Sequence, residues 1–316
     1  MNFQQLRSAR ETVRHDYNLT LVANALHTSQ PGVSRQLREL EDELGIQLFE
    51  RSGRRLTGLT PPGRAVLPII ERLLQQADNL KRAGADFALS NQGLLTVAAT
   101  HTQARYALPA AVRDFRATHA QVRLHLQQGS PRQVAESVLD GQADLGIATE
   151  ALTEFPELVA LPCYRWSHVV VVPRGHALAD DTSRPLTLER LAAFPLVTYE
   201  PGYTGRRHID EAFRQGGVGF EVGLSAMDAD VIKTYVDLGL GVGVIASVAY
   251  DEVRDGTLVA LDASHLFATN TTRIAVKRGA YLRAYVFDFI QTFAPPLARA
   301  LVERALQTTP GEVFEI

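Results

Sequence analysis

TSQPGVSRQLRELEDELGIQLFERSGRRLTGLTPPG, residues 28–63, reads as a helix followed by a glycine turn. Val33, Leu37, Leu40 and Leu44 fall at spacings of four, three and four, which is one stripe of an α-helix. Ser34, Arg35 and Arg38 are left on other faces. Pro31 stands where a first helical turn tolerates proline, and Gly45 where a C′ glycine ends a helix. Just upstream, Leu21, Val22, Ala25 and Leu26 keep helical spacing until His27-Thr28-Ser29-Gln30 interrupts it. Two short helices joined by a turn are therefore predicted.

In a helix-turn-helix, the N-terminal residues of the second helix reach base edges in the major groove. Here they are Ser29, Gln30, Pro31, Ser34, Arg35 and Arg38. Gln30 suits an adenine, Arg35 or Arg38 a guanine or a phosphate, and the hydroxyls of Ser29 and Ser34 phosphate oxygens. The pattern does not decide which residue does which. Arg51, Arg54 and Arg55 surround Gly53 with no acid between them, which suits a wing laid along the minor groove or the backbone. On pattern alone, a solvated arginine face fits these positions equally well.

From about Pro62 to Leu89 a long amphipathic pattern carries Val66, Ile69, Ile70, Leu73, Leu74, Ala77 and Leu80. Such a helix either packs on its own domain or pairs with a second copy in coiled-coil fashion. Asn91-Gln92-Gly93 then breaks the pattern. Beyond it, apolar strands alternate with helical stretches: Leu94 to Thr100, a helix to about Thr118, Val122 to Gln128, a helix from Pro131 to Asp140, and Ala143 to Thr149. The order recurs with Leu196 to Tyr199, a helix from Thr204, Phe220 to Ser225, a helix from Asp228 to Leu240, and Val242 to Ala246. Two α/β lobes built on parallel sheets follow from that order, joined by crossing strands near Leu161 to Pro173 and Ala260 to Ile274, with a cleft between them. A last helix from about Leu282 packs on one lobe. The predicted domains are residues 1–60, a winged helix-turn-helix; 61–92, a linker and dimerisation helix; and 93–316, a two-lobed effector-binding domain.

The chain has 316 residues, 46% of them hydrophobic and 21% charged, as in a folded globular protein. Its net charge of −3 argues against a protein that coats nucleic acid nonspecifically, but not against a local basic surface. One cysteine, Cys163, permits no intramolecular disulfide. No segment approaches the roughly twenty apolar residues of a membrane span, and the N-terminus lacks a signal-peptide pattern, so a cytoplasmic protein without a membrane role is expected. His101, His119, His125, His168 and His176 are scattered, so no metal site is predicted. Ser130 follows a glycine but lacks the Gly-x-Ser-x-Gly elbow, and no phosphate loop or dinucleotide fingerprint occurs. No enzyme and no cofactor are expected, and Cys163 reads as a buried structural thiol.

Residues 28–63 resemble the N-terminal signature of LysR-type transcriptional regulators nearly residue for residue, including Gly45, Leu48-Phe49-Glu50-Arg51 and Leu59-Thr60-Pro61. The resemblance continues through Thr100 to Pro109, Gln128 to Pro131, Ala148 to Ala151, Leu161 to Tyr164, Tyr203 to Arg206 and Asp228 to Tyr235. It narrows there to the branch of CysB and Cbl, activators of cysteine biosynthesis and sulfur assimilation. That branch senses sulfur metabolites in a two-lobed, periplasmic-binding-protein-like domain. The resemblance implies promoter DNA, RNA polymerase and a second copy of the chain as partners, in a homodimer or homotetramer. It also implies a small effector such as N-acetylserine or sulfate, bound by Thr100, Thr102, Gln103, Ser130, Thr149, Trp166 and Thr204.

Several of these positions stand where a strand or loop gives way to a helix, so backbone N–H groups and hydroxyls there suit an anion. Each hydroxyl taken alone equally suits an N-cap. Glu200-Pro201-Gly202 departs from the branch, which has an aromatic residue and a threonine before that turn. A carboxylate pointing inward there would oppose a doubly charged ligand. Two other functions fit the same features. One is a regulator of alternative sulfur-source genes, as Cbl resembles CysB; the other is a cytoplasmic small-molecule-binding protein with a helical appendage.

Overall fold

The protein is described by a computed structural model covering residues 1–53, 55–88, 92–180, 184–203 and 205–308. It forms two compact units, Met1–Phe87 and a second from Ala88 onward. Arg54 and Thr204, both named above, lie outside the described residues, as do Leu89 and Asn91.

The first unit begins with α1 (Phe3–Arg14), which the apolar pattern did not predict. Its buried face is half polar, Gln5, Ser8 and Thr12 beside Leu6 and Ala9. The signal that marks it is the capping box of Asn2 and Gln5, in which each side chain accepts from the other residue's backbone N–H. α2 (Leu19–Ala25) and α3 (Gln30–Leu44) follow. α3 opens on the Ser29 cap and closes on Gly45 at φ +68°. Strands β1 (Phe49–Ser52) and β2 (Arg55–Leu59) make the antiparallel wing.

The long helix α4 (Pro61–Ala88) buries Ile70 and Leu74 in this unit's core with Val22, Val33, Leu37, Leu40 and Phe49. Along its length Ile69, Leu73, Leu80 and Phe87 stay exposed. α4 starts hard against the wing: a Cβ on Gly63 would stand 2.0 Å from the Leu48 carbonyl oxygen, so only glycine fits.

In the second unit the elements run β3 (Gly93–Ala99), α5 (Leu108–Thr118), β4 (Val122–Gln128), α6 (Pro131–Leu139), β5 (Leu145–Ala148), β6 (Leu158–Trp166) and β7 (His168–Pro173). They continue with α7 (Ala177–Asp180), α8 (Leu188–Ala192), β8 (Leu196–Tyr199), α9 (Arg206–Gly216), β9 (Val222–Ala226), α10 (Ala229–Asp237) and β10 (Val242–Ala246). β11 (Leu258–Asp262), β12 (Asn270–Lys277), α11 (Ala284–Phe293) and α12 (Arg299–Leu306) complete the chain.

Two five-stranded sheets result, in the orders β4-β3-β5-β12-β6 and β9-β8-β10-β7-β11. The sheets are mixed, and the expectation of parallel sheets is corrected. Four strands in each run the same way, and one crossing strand, β12 or β7, runs antiparallel to both of its neighbours. The chain passes between sheets at Ser167 and again between β11 and β12, so each returning strand enters its sheet from the opposite end. The single terminal helix expected from Leu282 is two, α11 and α12.

In both lobes the first parallel strand, β3 or β8, lies between the next two. That arrangement makes a crevice at the strands' carboxyl ends, where open α/β sheets bind ligands. Among the described residues no helix is long and apolar enough to cross a membrane.

Candidate functional site

The recognition surface is set by the start of α3. Ser29 accepts from the Gly32 N–H at 3.2 Å, so its hydroxyl caps the helix. Gln30, Pro31, Arg35 and Arg38 are exposed around it and Ser34 is half-buried. Arg35 donates through Nε to Glu39 at 2.7 Å, and that hydrogen bond holds the half-buried Glu39 carboxyl below its usual range. Arg38 donates to the Ser34 carbonyl at 3.2 Å. Both contacts are solvated and local, so they orient the guanidinium groups without committing them. α1 braces α3 from behind, Gln5 donating to Glu39 and Ser8 bonding Gln36. On the wing, Arg55 is exposed, whereas Arg51 donates to Glu41 at 2.7 Å.

The second site lies between the lobes. Thr100 follows β3 and Thr149 follows β5, its parallel neighbour, so both stand at strand carboxyl ends. The Thr100 N–H donates to the Ile147 carbonyl at 3.2 Å and ties the two ends together. A helical stretch begins at His101 and passes through a π-turn, Gln103–Ala107, into α5. Its first amide N–H groups have no intrahelical acceptor. Thr100, Thr102, Gln103, Thr149 and Trp166 are all buried, and the Thr102 hydroxyl approaches the Tyr199 hydroxyl of the other lobe.

Gln103 and Trp166 spend their side chains internally. The Gln103 amide donates to Thr272 at 3.0 Å and accepts from Tyr164 at 2.6 Å, and the Trp166 indole donates to Thr272 at 3.2 Å. What Gln103 offers outward is main-chain. Ser130 caps α6 by accepting from the Gln133 N–H at 3.2 Å, and its own N–H goes to the Gln133 side chain. Its hydroxyl therefore has the N-cap role, and α6 presents its N-terminus to the cleft.

The cleft measures ≈ 820 Å³. Pro131, Arg132, Thr149 and Phe155 line it from one lobe, and Tyr203, Gly205, Arg207 and His208 from the other. Glu200 is not among the described lining residues; its backbone forms the turn below Tyr203. Arg206 is buried, donating to the Tyr199 carbonyl at 2.5 Å and to Asp210 at 2.7 Å. It holds the turn and not a ligand.

Sequence reasoning missed the bridge between lobes. Buried Lys233 on α10 donates to Asp255 at 2.9 Å, to the Ala249 carbonyl at 2.9 Å and to the Tyr106 hydroxyl of the other lobe at 3.1 Å. Tyr106 in turn donates to Asp230 at 2.6 Å, and Arg105 and His101 approach that carboxylate at 3.5 and 3.7 Å. Burial pushes the Asp230 carboxyl upward, but Tyr106, Lys233 and Arg105 outweigh it and hold it below its usual range. His101, Asp228 and Asp230 converge within 4.8 Å, a cluster that spacing along the chain could not reveal. Two cations share Asp230 and Asp228 caps α10 through the Val231 N–H, so the cluster is an interlobe ion network.

Residues 3–64 match the family described as bacterial regulatory helix-turn-helix protein, lysR family, and residues 89–297 the LysR substrate binding domain. The chain is 55% identical over 307 residues to the HTH-type transcriptional regulator SsuR of Burkholderia cenocepacia, covering 97% of this chain and 99% of that one. It is 51% identical over 315 residues to the HTH-type transcriptional regulator Cbl of Escherichia coli K12, covering 100% and 99%. The crystal structure of the cofactor-binding domain of the Cbl transcriptional regulator superposes with a TM-score of 0.66 at 44% identity, covering 69% of this chain and 95% of that one.

Proposed function

Since the chain belongs to the LysR family of transcriptional regulators, we propose that it activates sulfur-assimilation genes in response to a small anionic metabolite. It is a regulator and not an enzyme. The observation that carries the effector reading is the cleft floor. Thr149 lines the cleft, and Thr100 and Thr102, which are not among its described lining residues, are buried at the adjoining strand end and helix start, a set of neutral donors suited to sulfate or to the carboxylate of an acetylated serine. Thr204 completes the proposed set. The side chains of Gln103 and Trp166 shape the floor from beneath, and Ser130 orients α6.

Promoter DNA is read by Gln30, Pro31, Ser34, Arg35 and Arg38, with Ser29 fixing the helix start and Arg54 and Arg55 meeting the backbone. The protein works in the cytoplasm as a homodimer or homotetramer, since a two-fold site needs two-fold related reading heads, and engages RNA polymerase there. Effector binding changes the angle between the lobes and so the spacing of the paired heads.

Fluorescence anisotropy on a fragment from upstream of the host's sulfate-assimilation genes, against a scrambled duplex, tests this with and without N-acetylserine or sulfate. Specific binding that shifts with either compound is the expected result. Equal weak binding to both duplexes would overturn the regulon, and specific binding without a shift would overturn the effector.

A further inference from the structure

A carboxylate with almost no exposure lies at the centre of the DNA-reading unit. The Glu41 side chain is 1% exposed, on the inward face of α3 one turn beyond Leu37. One oxygen accepts from the backbone N–H groups of Leu48 at 2.8 Å and Phe49 at 3.1 Å, where the chain turns into the wing. The other accepts from Arg51 at 2.7 Å. A buried charge is tolerated only when paired and hydrogen-bonded, and here three donors converge on it. The same turn is held from its far side, because the Leu48 carbonyl accepts from the Thr60 N–H at 3.0 Å and abuts Gly63 at the start of α4. Recognition helix, wing and long helix therefore meet at one peptide, with Glu41 as its charged anchor.

We propose that Glu41 is a positioning residue for DNA reading: it fixes the wing against α3 and withdraws Arg51 from phosphate contact. Arg51 thereby serves the geometry of the head, while Arg55 is left to the DNA. The inference rests on the reading of the first unit as the DNA-binding one.

The test uses the full chain, a fluorescein-labelled random duplex, and a duplex that the wild type selects from a random pool, titrated between 50 and 200 mM NaCl. A cation that contacts phosphate contributes about one unit to the slope of log affinity against log salt. Arg51→Met is expected to leave that slope on the random duplex unchanged, while discrimination between the duplexes falls roughly tenfold, about 1.4 kcal/mol. Arg51→Lys, which keeps a charge on Glu41, restores discrimination. Glu41→Gln keeps a neutral acceptor for the two amides and loses discrimination as Arg51→Met does. A slope lowered by about one in Arg51→Met, or wild-type discrimination in both Arg51→Met and Glu41→Gln, would overturn the proposal. Should Glu41→Gln fail to fold, Arg51→Met and Arg51→Lys decide alone. A wild type that binds neither duplex, or an Arg55→Met with unchanged slope, counts instead against the DNA-binding assignment.

Discussion

The two units use charge in opposite places. In the first, the cations of α3 face outward and are loosely held, unlike Arg51 on buried Glu41: the Arg35 side chain is 80% exposed, and its partner Glu39 lies on the same helix. In the second, the strand ends carry buried neutral hydroxyls and amides beside a cleft that Arg132, Glu154, Arg207 and Glu211 also line, and the buried charge sits where the lobes touch. The difference fits the ligands proposed above. DNA presents a row of phosphates whose counterions mobile guanidinium groups displace, so exposure is useful. A small anion must be stripped of water, and converging N–H and O–H donors hold it without first burying a cation. Charge between the lobes then has a separate task, to set how they meet.

The most direct way to break that contrast is Lys233→Met. Three acceptors would lose their donor and Asp255, itself largely buried, would be left uncompensated. A loss of about 3–5 kcal/mol is expected, the usual cost of breaking a buried pair from one side. Trp166 is the only tryptophan and lies in the second unit, so its fluorescence during urea unfolding reports that unit alone. A midpoint within experimental error of wild type would mean that the lobes do not depend on the network.

Cys163 gives the next largest effect. Burial pushes its thiol from 9.0 up to about 12. The folded state thus holds the proton to higher pH than the unfolded chain does. Its contribution to stability is complete below pH 9 and is lost as pH rises from 9 towards 12. At pH 8, alkylation of the folded protein by iodoacetamide is expected to be roughly a thousandfold slower than in urea, following the thiolate fraction. Equal rates would place a reactive thiol in the neutral interior and remove the contrast.

Much of this plan is legible in the sequence, for reasons visible in particular residues. The apolar stripe of α3, its Gly45 stop and the strands β4, β8 and β10 depend on local periodicity, which a chain displays directly. α1 escapes because it buries Gln5 and Ser8, polar side chains that α3 satisfies from afar, and Thr12, whose hydroxyl donates back to the Ser8 carbonyl. The floor is half legible: Thr100 and Thr149 stand at strand ends, but Thr272, which orients both Gln103 and Trp166, arrives from a strand 169 residues beyond Gln103. Lys233 and Glu41 read as ordinary surface charges on amphipathic helices. Only tertiary packing buries them.

A smaller effect sharpens the division of labour. Thr102→Ala is expected to weaken sulfate or N-acetylserine binding about tenfold in calorimetry while leaving DNA affinity within about twofold, the loss of one hydroxyl from the floor. Arg35→Ala should do the reverse, lowering DNA affinity and the salt slope by about one with effector affinity unchanged. If each variant lost both activities in step while remaining folded, the two sites would not be separable.

The smallest effect concerns α4, and there the sign matters more than the size. Leu73, Leu80 and Phe87 are exposed at spacings of seven, the repeat of a coiled-coil seam, and Gly84 sits beside them, four residues after Leu80 and three before Phe87. Nothing lies within 4 Å of a Cβ at Gly84 in the isolated chain. On helix propensity alone, Gly84→Ala would stabilise by up to about 1 kcal/mol. In a paired helix the same methyl group enters a close approach that glycine permits. Thermal unfolding at several protein concentrations separates the cases. Stabilisation independent of concentration means that this face is open in solution. Destabilisation that deepens as the protein is diluted means that a second copy covers Leu80 and Phe87, and then the outward-facing cations of two heads are presented to DNA together.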